Sequence, residues 1–323
     1  MICEASWNEV EVRVVGVGGA GCCAITHCMR AGVRRAEFVA VDLDWACVRG
    51  SEANRKVELK GGPPAGLGSG GNVGWASETA QACIDVLREA LSPADVVTVV
   101  AGMGGGTGSG AGPVVATVAK EMGALTVAFV TMPWSFEGPR RRRVADEEIG
   151  RFCQADDCVF VTYLDGLLEV VGRKISLRSL FAAANAMLCD GVRALVELAT
   201  WPSVIAMDYS VMKMILQDGG AGAWGIGRAQ GQDRGARAAQ EAVSSPLLSK
   251  PLDQAGRVIF QLRGNENVIM KEFTDASHVI EQNAGQRSDL TGGFTIDPAA
   301  GDTVTVTVMA TNFASTPDLP SQD

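Results

Sequence analysis

The chain has 323 residues, 47% of them hydrophobic and 20% charged, which at about 150 residues per domain suggests two globular domains with sizeable apolar cores. A net charge of −9 argues against nonspecific nucleic-acid binding, and no uninterrupted apolar run is long enough to span a bilayer. The first ten residues include Glu4 and Glu9 and lack the basic and apolar stretches of a secretory signal. With nine cysteines, reduced thiols in a reducing compartment are therefore expected.

Residues 12–15 read as a short strand, 16–21 as a glycine loop, 22–32 as a helix and 38–41 as the next strand, a βαβ opening. Residues 60–74, rich in Gly and Pro, read as a long functional loop. A helix is expected over 79–91, a buried parallel strand over 97–101, and a second glycine run over 104–110. Helix 113–120, strand 125–130, a helix from Arg140 onward and strand 159–162 follow. This alternation predicts a parallel sheet with helices on both faces. Residues 179–198 form a long apolar helix stopped by Pro202. After it come a glycine-rich segment, 219–228, a polar helix, 230–243, and strands 258–262 and 304–308. The last strand alternates Val with Thr, which suits one face on a core. Residues 252–313 read as a smaller α+β domain and 314–323 as a disordered polar tail.

Two glycine loops carry the chemistry. Strand, glycine loop and helix present backbone N–H groups and a helix N-terminus to an anion. In Gly104-Gly105-Gly106-Thr107-Gly108-Ser109-Gly110 the missing Cβ atoms let a phosphate approach, and the Thr107 and Ser109 hydroxyls add donors. No Gly-Lys-Ser/Thr closes the loop, so it is not a Walker A sequence. Gly16-x-Gly18-x-x-Gly21, with Asp42 and Asp44 near the second strand end, also fits a dinucleotide fingerprint, which makes an NAD-dependent oxidoreductase the rival; alone that signal is weak. Cys22, Cys23, His27 and Cys28 are clustered, but no second pair with zinc-type spacing follows. Buried thiols and no protein-held metal are expected. The run from Arg140 to Arg143 reads as a solvated helix face with one Arg turned to phosphate.

The glycine run resembles the signature loop of the tubulin/FtsZ family of filament-forming GTPases. The resemblance spans about residues 12–312. It includes Val15-Gly16-Val17-Gly18-Gly19, Ala101-Gly102-Met103 leading into the run, Pro133-x-x-Phe136-Glu137-Gly138, Ile175-Ser176-Leu177, Phe181-x-x-Ala184-Asn185 and Ser244-Ser245-Pro246-Leu247-Leu248. It implies an α/β fold with a Rossmann-like GTP-binding domain (1–178), a long central helix (179–201) and a smaller α+β C-terminal domain (202–313) carrying a catalytic loop (202–211). GTP or GDP with Mg2+ is the implied ligand. Gly18, Gly19, Ala20, Gly21 and Cys23 would lie at the nucleotide, and Gly104, Gly105, Gly106, Thr107 and Gly108 would cradle its diphosphate. Ser69, Gly70 and Gly71, followed by Asn72, lie where the family senses the γ-phosphate. Glu137 would hold the ribose, Arg141 phosphate or ribose, Phe181 would stack on the base, and Asn185 would read the guanine edge. Phe181 also suits plain helix core; an unpartnered buried Asn185 would be costly, which favours a ligand.

The pattern breaks at the catalytic loop. The family's Asn-x-Asp-Phe-x-Asp stands here as Ala206-Met207-Asp208-Tyr209-Ser210-Val211, leaving Asp208 as the candidate acid. One positioned proton-transfer group is worth roughly 10²–10⁴ in rate, so slow hydrolysis is expected. Cys23 and Leu164 stand for Asn, Pro64-Ala65 for Thr-Lys and Asp42-Leu43-Asp44 for Asn-Thr-Asp, which points to weaker GTP affinity. The expected function is a GTP-binding cytoskeletal protein forming head-to-tail filaments of a cell or organelle division ring. The alternative is a catalytically weak FtsZ-like paralog that co-assembles with, or regulates, another FtsZ. Expected partners are itself or another FtsZ and division-ring proteins, without nucleic acid or direct membrane insertion; the family's tether-binding C-terminal peptide is not seen. The expected location is the cytoplasm at the division site, or a plastid stroma.

Overall fold

The computed structural model describes residues 10–61, 66–201, 205 and 207–313. Pro64, Ala65, Pro202, Ala206 and the tail from 314 lie outside the described residues.

In chain order the first half runs β1 (Val12–Val17), α1 (Gly18–Arg30), β2 (Glu37–Asp42), α2 (Trp45–Gly50), β3 (Arg55–Glu58), α3 (Val73–Ala82), α4 (Ile84–Leu91), β4 (Val96–Gly102), α5 (Gly106–Glu121) and β5 (Leu125–Met132). It continues with α6 (Pro139–Ala155), β6 (Cys158–Tyr163), α7 (Leu164–Val171), α8 (Leu177–Thr200) and α9 (Tyr209–Leu216). The remainder is β7 (Gly220–Ala229), α10 (Arg234–Val243), β8 (Arg257–Gly264), α11 (Met270–Asn283), β9 (Asp289–Ile296) and β10 (Val304–Thr311).

Among the described residues the strands form one sheet in the order β3-β2-β1-β4-β5-β6-β7-β10-β8-β9. From β3 to β7 every pairing is parallel. Strand β1 lies between β2 and β4, so the chain reverses direction across the sheet there and opens a crevice at the strands' C-terminal ends. Helices cover both faces, as the alternation predicted. One core packs α1 and α8 on the sheet; the other packs α3 to α6. Side-chain caps fix several starts: the Asp44 carboxylate accepts from Ala46 N–H at 2.9 Å for α2, Asn72 from Trp75 N–H at 3.0 Å for α3, and Ser176 from Ser179 N–H at 3.1 Å for α8.

The structure corrects several sequence expectations. Both glycine loops end in helix: α1 begins at Gly18 and α5 at Gly106. Glycine is a poor helix former, but here close packing demands it. A Cβ on Gly108 would lie 2.4 Å from the Gly102 carbonyl oxygen, one on Gly110 2.3 Å from that of Val73, and one on Gly112 2.2 Å from the Phe152 ring. The single helix expected over 79–91 is two, α3 and α4, broken at Cys83. The glycine-rich segment 219–228 is strand β7, which pairs with β6 at Gly220–Gly222 and then with β10 from Ala223 onward. Its glycines admit neighbours: Cβ atoms on Gly225 and Gly227 would strike α10 carbonyl oxygens at 2.2 and 2.1 Å.

Helices α2, α7, α9 and α11 and strands β3 and β9 have no counterpart in the sequence reading. The Val/Thr strand β10 is buried on both faces. Its valines join the core under α10 and α11; on the other face Met309 joins the α8 core and Thr311 donates to the Ile215 carbonyl of α9 at 3.0 Å. Helix α8 is long and apolar enough to cross a membrane by composition, but 56% of that stretch is buried inside the protein, as for a core helix.

Candidate functional site

A cavity of about 500 Å³ lies at the C-terminal ends of β1, β4 and β5. Its floor is backbone. Gly18, Gly19 and Ala20 come from the first turn of α1, and Gly104, Gly105, Gly106, Thr107 and Gly108 from the start of α5. The N–H groups of a first helical turn have no intrahelical acceptor and carry the positive end of the helix dipole, so two helix starts converge on an anion site. Glycine is required at specific points. Gly18 and Gly104 have φ of +74° and +84°. A Cβ on Gly106 would lie 2.1 Å from Ser69 Oγ, while at Gly19, Gly70 and Gly105 nothing lies within 4 Å of that position. Those three backbones face open space, a fit for a phosphate chain.

Ser69, Gly70 and Gly71 close one side, and Glu137, Arg140 and Arg141 another. Glu137 accepts from Trp134 N–H at 3.1 Å and is ion-paired with Arg141. Arg142 pairs with Asp146 at 3.2 Å and Arg143 with Glu147 at 3.9 Å. Arg140 has no ion pair among the described residues and faces the cavity. Sequence reasoning chose Arg141 and missed Arg140, although a signal existed: Arg140 alone in the run has no acid four residues away.

At the far wall, Phe181 and Asn185 project from α8. Phe181 is 47% exposed, so plain helix core does not describe it; its ring meets Trp134 edge-on at 6.4 Å. Asn185 is half-buried, and its amide has no hydrogen-bond partner among the described residues. An aromatic face and a free amide one helical turn apart form a shelf for a flat heterocycle with hydrogen-bonding edges.

Three expected contacts fail. Gly21 does not line the cavity: a Cβ there would lie 2.2 Å from the Val100 carbonyl oxygen, so its role is to let α1 lie against β4. Cys23 is exposed and opens onto an adjoining cavity that, among the described residues, shares only Asn185 with the first. The Ser109 hydroxyl is turned inward, accepting from Gly104 N–H at 2.9 Å; it holds the loop rather than a ligand. Leu164 does line the cavity, where it offers no hydrogen bond.

Asp208 is exposed and immediately precedes α9. Residues 209–211, read as loop, are helical, and Val211 packs on the main core. The adjacent Tyr209 hydroxyl donates to the Asp95 carbonyl at 2.9 Å, just before β4. The cavity lies at the other end of that seven-residue strand, ~23 Å away at ~3.3 Å per residue. Within one chain Asp208 and the cavity do not meet.

A doubly wound α/β layer with an anion cradle of two helix starts, bound through a long helix to an α+β layer, is the build of a nucleotide-binding protein. The sequence matches "Tubulin/FtsZ family, GTPase domain" over residues 11–172 and "FtsZ family, C-terminal domain" over 220–314. It is 32% identical to FtsZ of M. jannaschii in an empty dimer structure, covering 94% of this chain and 88% of that one, with a TM-score of 0.89. A mutant of that FtsZ gives 32%, 94%, 91% and 0.90. CetZ2 of Haloferax volcanii, in a GTPγS-bound protofilament, is 20% identical over 95% of both chains and shares the fold at 0.81. The chain belongs to the Tubulin/FtsZ family, and that membership implies GTP or GDP as its nucleotide.

Proposed function

We propose that this protein binds GTP in the glycine-floored cavity and polymerises head to tail into filaments of a cell or organelle division ring, with slow hydrolysis where successive subunits meet. The separation of Asp208 from the cavity carries this reading. An acid at one end of the sheet and a pocket at the other complete each other only between two copies, and a heterologous contact of that kind extends into a filament. The backbone N–H groups at Gly18, Gly19 and Gly105 to Gly108 face the phosphates, with Arg140 beside them. Ser69, Gly70 and Gly71 sense the γ-phosphate, and Glu137 takes the ribose when it parts from Arg141. Phe181 stacks on guanine, and Asn185 pairs with its edge. Mg2+ travels with the nucleotide, because Glu137 is the one carboxylate among the described lining residues and it is already paired. Residues 1–178, 179–201 and 202–313 act as nucleotide domain, central helix and C-terminal domain. The filament forms in the cytoplasm at the division site, or in a plastid stroma, where division-ring proteins meet it.

The packing of Val211 on the core, where the family pattern has an acid, favours a second reading: a catalytically weak paralog that co-assembles with or regulates another FtsZ. Phosphate release from GTP across a range of protein concentrations separates the two. Turnover that switches on above a threshold is expected for self-assembly. GTP binding without release selects the second reading, and NAD binding without GTP binding overturns both.

A further inference from the structure

Behind the cavity floor, three successive elements bring together a set of metal-ligating side chains. Cys22 on α1, Asp42 at the end of β2 and Cys47 on α2 place two sulfurs and a carboxylate oxygen within 4.8 Å of one another. Cys22 is 2% exposed and Asp42 3%; Cys47 is half-buried. Both thiols line the adjoining cavity of about 320 Å³, which gives an entry path and room for a further ligand. We propose that Cys22, Asp42 and Cys47 form a three-ligand Zn2+ site whose fourth coordination position opens to that cavity. Two thiolates and a carboxylate suit a borderline-soft d10 cation. With Zn–S bonds near 2.3 Å, tetrahedral geometry sets the sulfurs about 3.8 Å apart, within reach of small side-chain adjustments here.

The Cys22 thiol donates to the Gly16 carbonyl oxygen at 3.5 Å, a weak bond that metal coordination would replace. Binding releases the thiol protons to solvent, so affinity climbs with pH. The Asp42 carboxylate accepts from Asp44 N–H at 3.2 Å and has the Thr107 side chain beside it. Thr107 lines the first cavity. A cation on Asp42 therefore neutralises a buried negative charge directly behind the anion cradle, and whatever metal does for an anion there, the anion does reciprocally for metal.

The test uses nucleotide-free protein kept reduced with a phosphine and titrated with Co2+ as a spectroscopic stand-in for Zn2+. The expected result is a saturable thiolate-to-cobalt charge-transfer band with the strong d–d absorption of tetrahedral coordination, bleached by added Zn2+. Cys22→Ala and Cys47→Ala each abolish it, Cys83→Ala keeps it, and Asp42→Asn weakens Zn2+ by at least the roughly 10- to 100-fold that an outer-shell partner is worth. Circular dichroism of the metal-free variants confirms folding; should the buried Cys22 variant not fold, Cys47→Ser asks the same of a half-buried position. No band in the folded wild type, or a band that survives loss of either thiol, overturns the proposal. Because no nucleotide is present, the result does not depend on whether the first cavity binds GTP.

Discussion

At the residue scale, glycines of the two loops do opposite work. Gly105 precedes α5 with an ordinary φ of −92° and open space where a Cβ would go. Gly105→Ala should leave the melting temperature nearly unchanged and weaken GTP at least about tenfold, the methyl group taking phosphate space. Gly21→Ala drives a methyl group into the Val100 carbonyl and should cost about 1–3 kcal/mol or more of stability. Thermal melts beside nucleotide titrations distinguish the two. Asn185→Ala removes a free amide and should cost GTP about 1–3 kcal/mol while leaving ATP binding unchanged; an equal loss for both would refute guanine reading.

Asp156, far from the cavity, has both carboxylate oxygens buried without a hydrogen-bond partner among the described residues. Burial first, and then neighbouring Asp157, push its pKa well above the ordinary carboxylate value, against a smaller opposing pull from Lys120. The native state therefore keeps this proton to higher pH than the unfolded chain. Its contribution to stability falls as pH rises from the usual carboxylate range through the native-state value. Asp156→Asn should flatten that slope and raise the melting temperature at neutral pH, as measured by melts across pH.

At the element scale, the proposed function makes α9 the element on which GTP turnover depends. Asp208 stands at its start, and Val211, one turn along, packs on the core. Restoring polar groups with Ala206→Asn and Val211→Asp should raise GTP turnover at least about tenfold, part of the 10²–10⁴ that a positioned group is worth. It should also cost about 1–2 kcal/mol of lost apolar burial. Phosphate release and thermal melts report both effects; unchanged turnover would refute the catalytic reading of this segment. The sequence could not place α9 as helix, because a short amphipathic run beside a loop motif has no decisive period. The helical starts of α1 and α5 were hidden for a related reason: glycine propensity says loop, while the close contacts at Gly21 in α1 and at Gly108, Gly110 and Gly112 in α5 admit only glycine there.

At the scale of the whole molecule, the sheet sets the cavity and Asp208 at opposite ends. At GTP concentrations too low to fill the Asn185→Ala cavity, mixing Asn185→Ala protein with Asp208→Asn protein should therefore restore turnover that neither shows alone. In random copolymers about a quarter of the interfaces join an intact cavity to an intact Asp208. No recovery in the mixture would place hydrolysis within one chain, or remove it.

The sequence by itself determined the βαβ alternation, the central helix and the two glycine loops of the cavity floor, because strand periodicity and glycine-loop chemistry are local and need no partner to be read; Ser69, Glu137, Phe181 and Asn185 were legible only through the family resemblance. Only the tertiary structure decided that Gly21 and Ser109 serve packing and loop closure, that Arg140 faces the cavity, and that Cys22, Asp42 and Cys47 meet. Each of these depends on which atoms from distant segments arrive at one point, and that is fixed by how helices settle on a twisted sheet rather than by the spacing of residues along the chain.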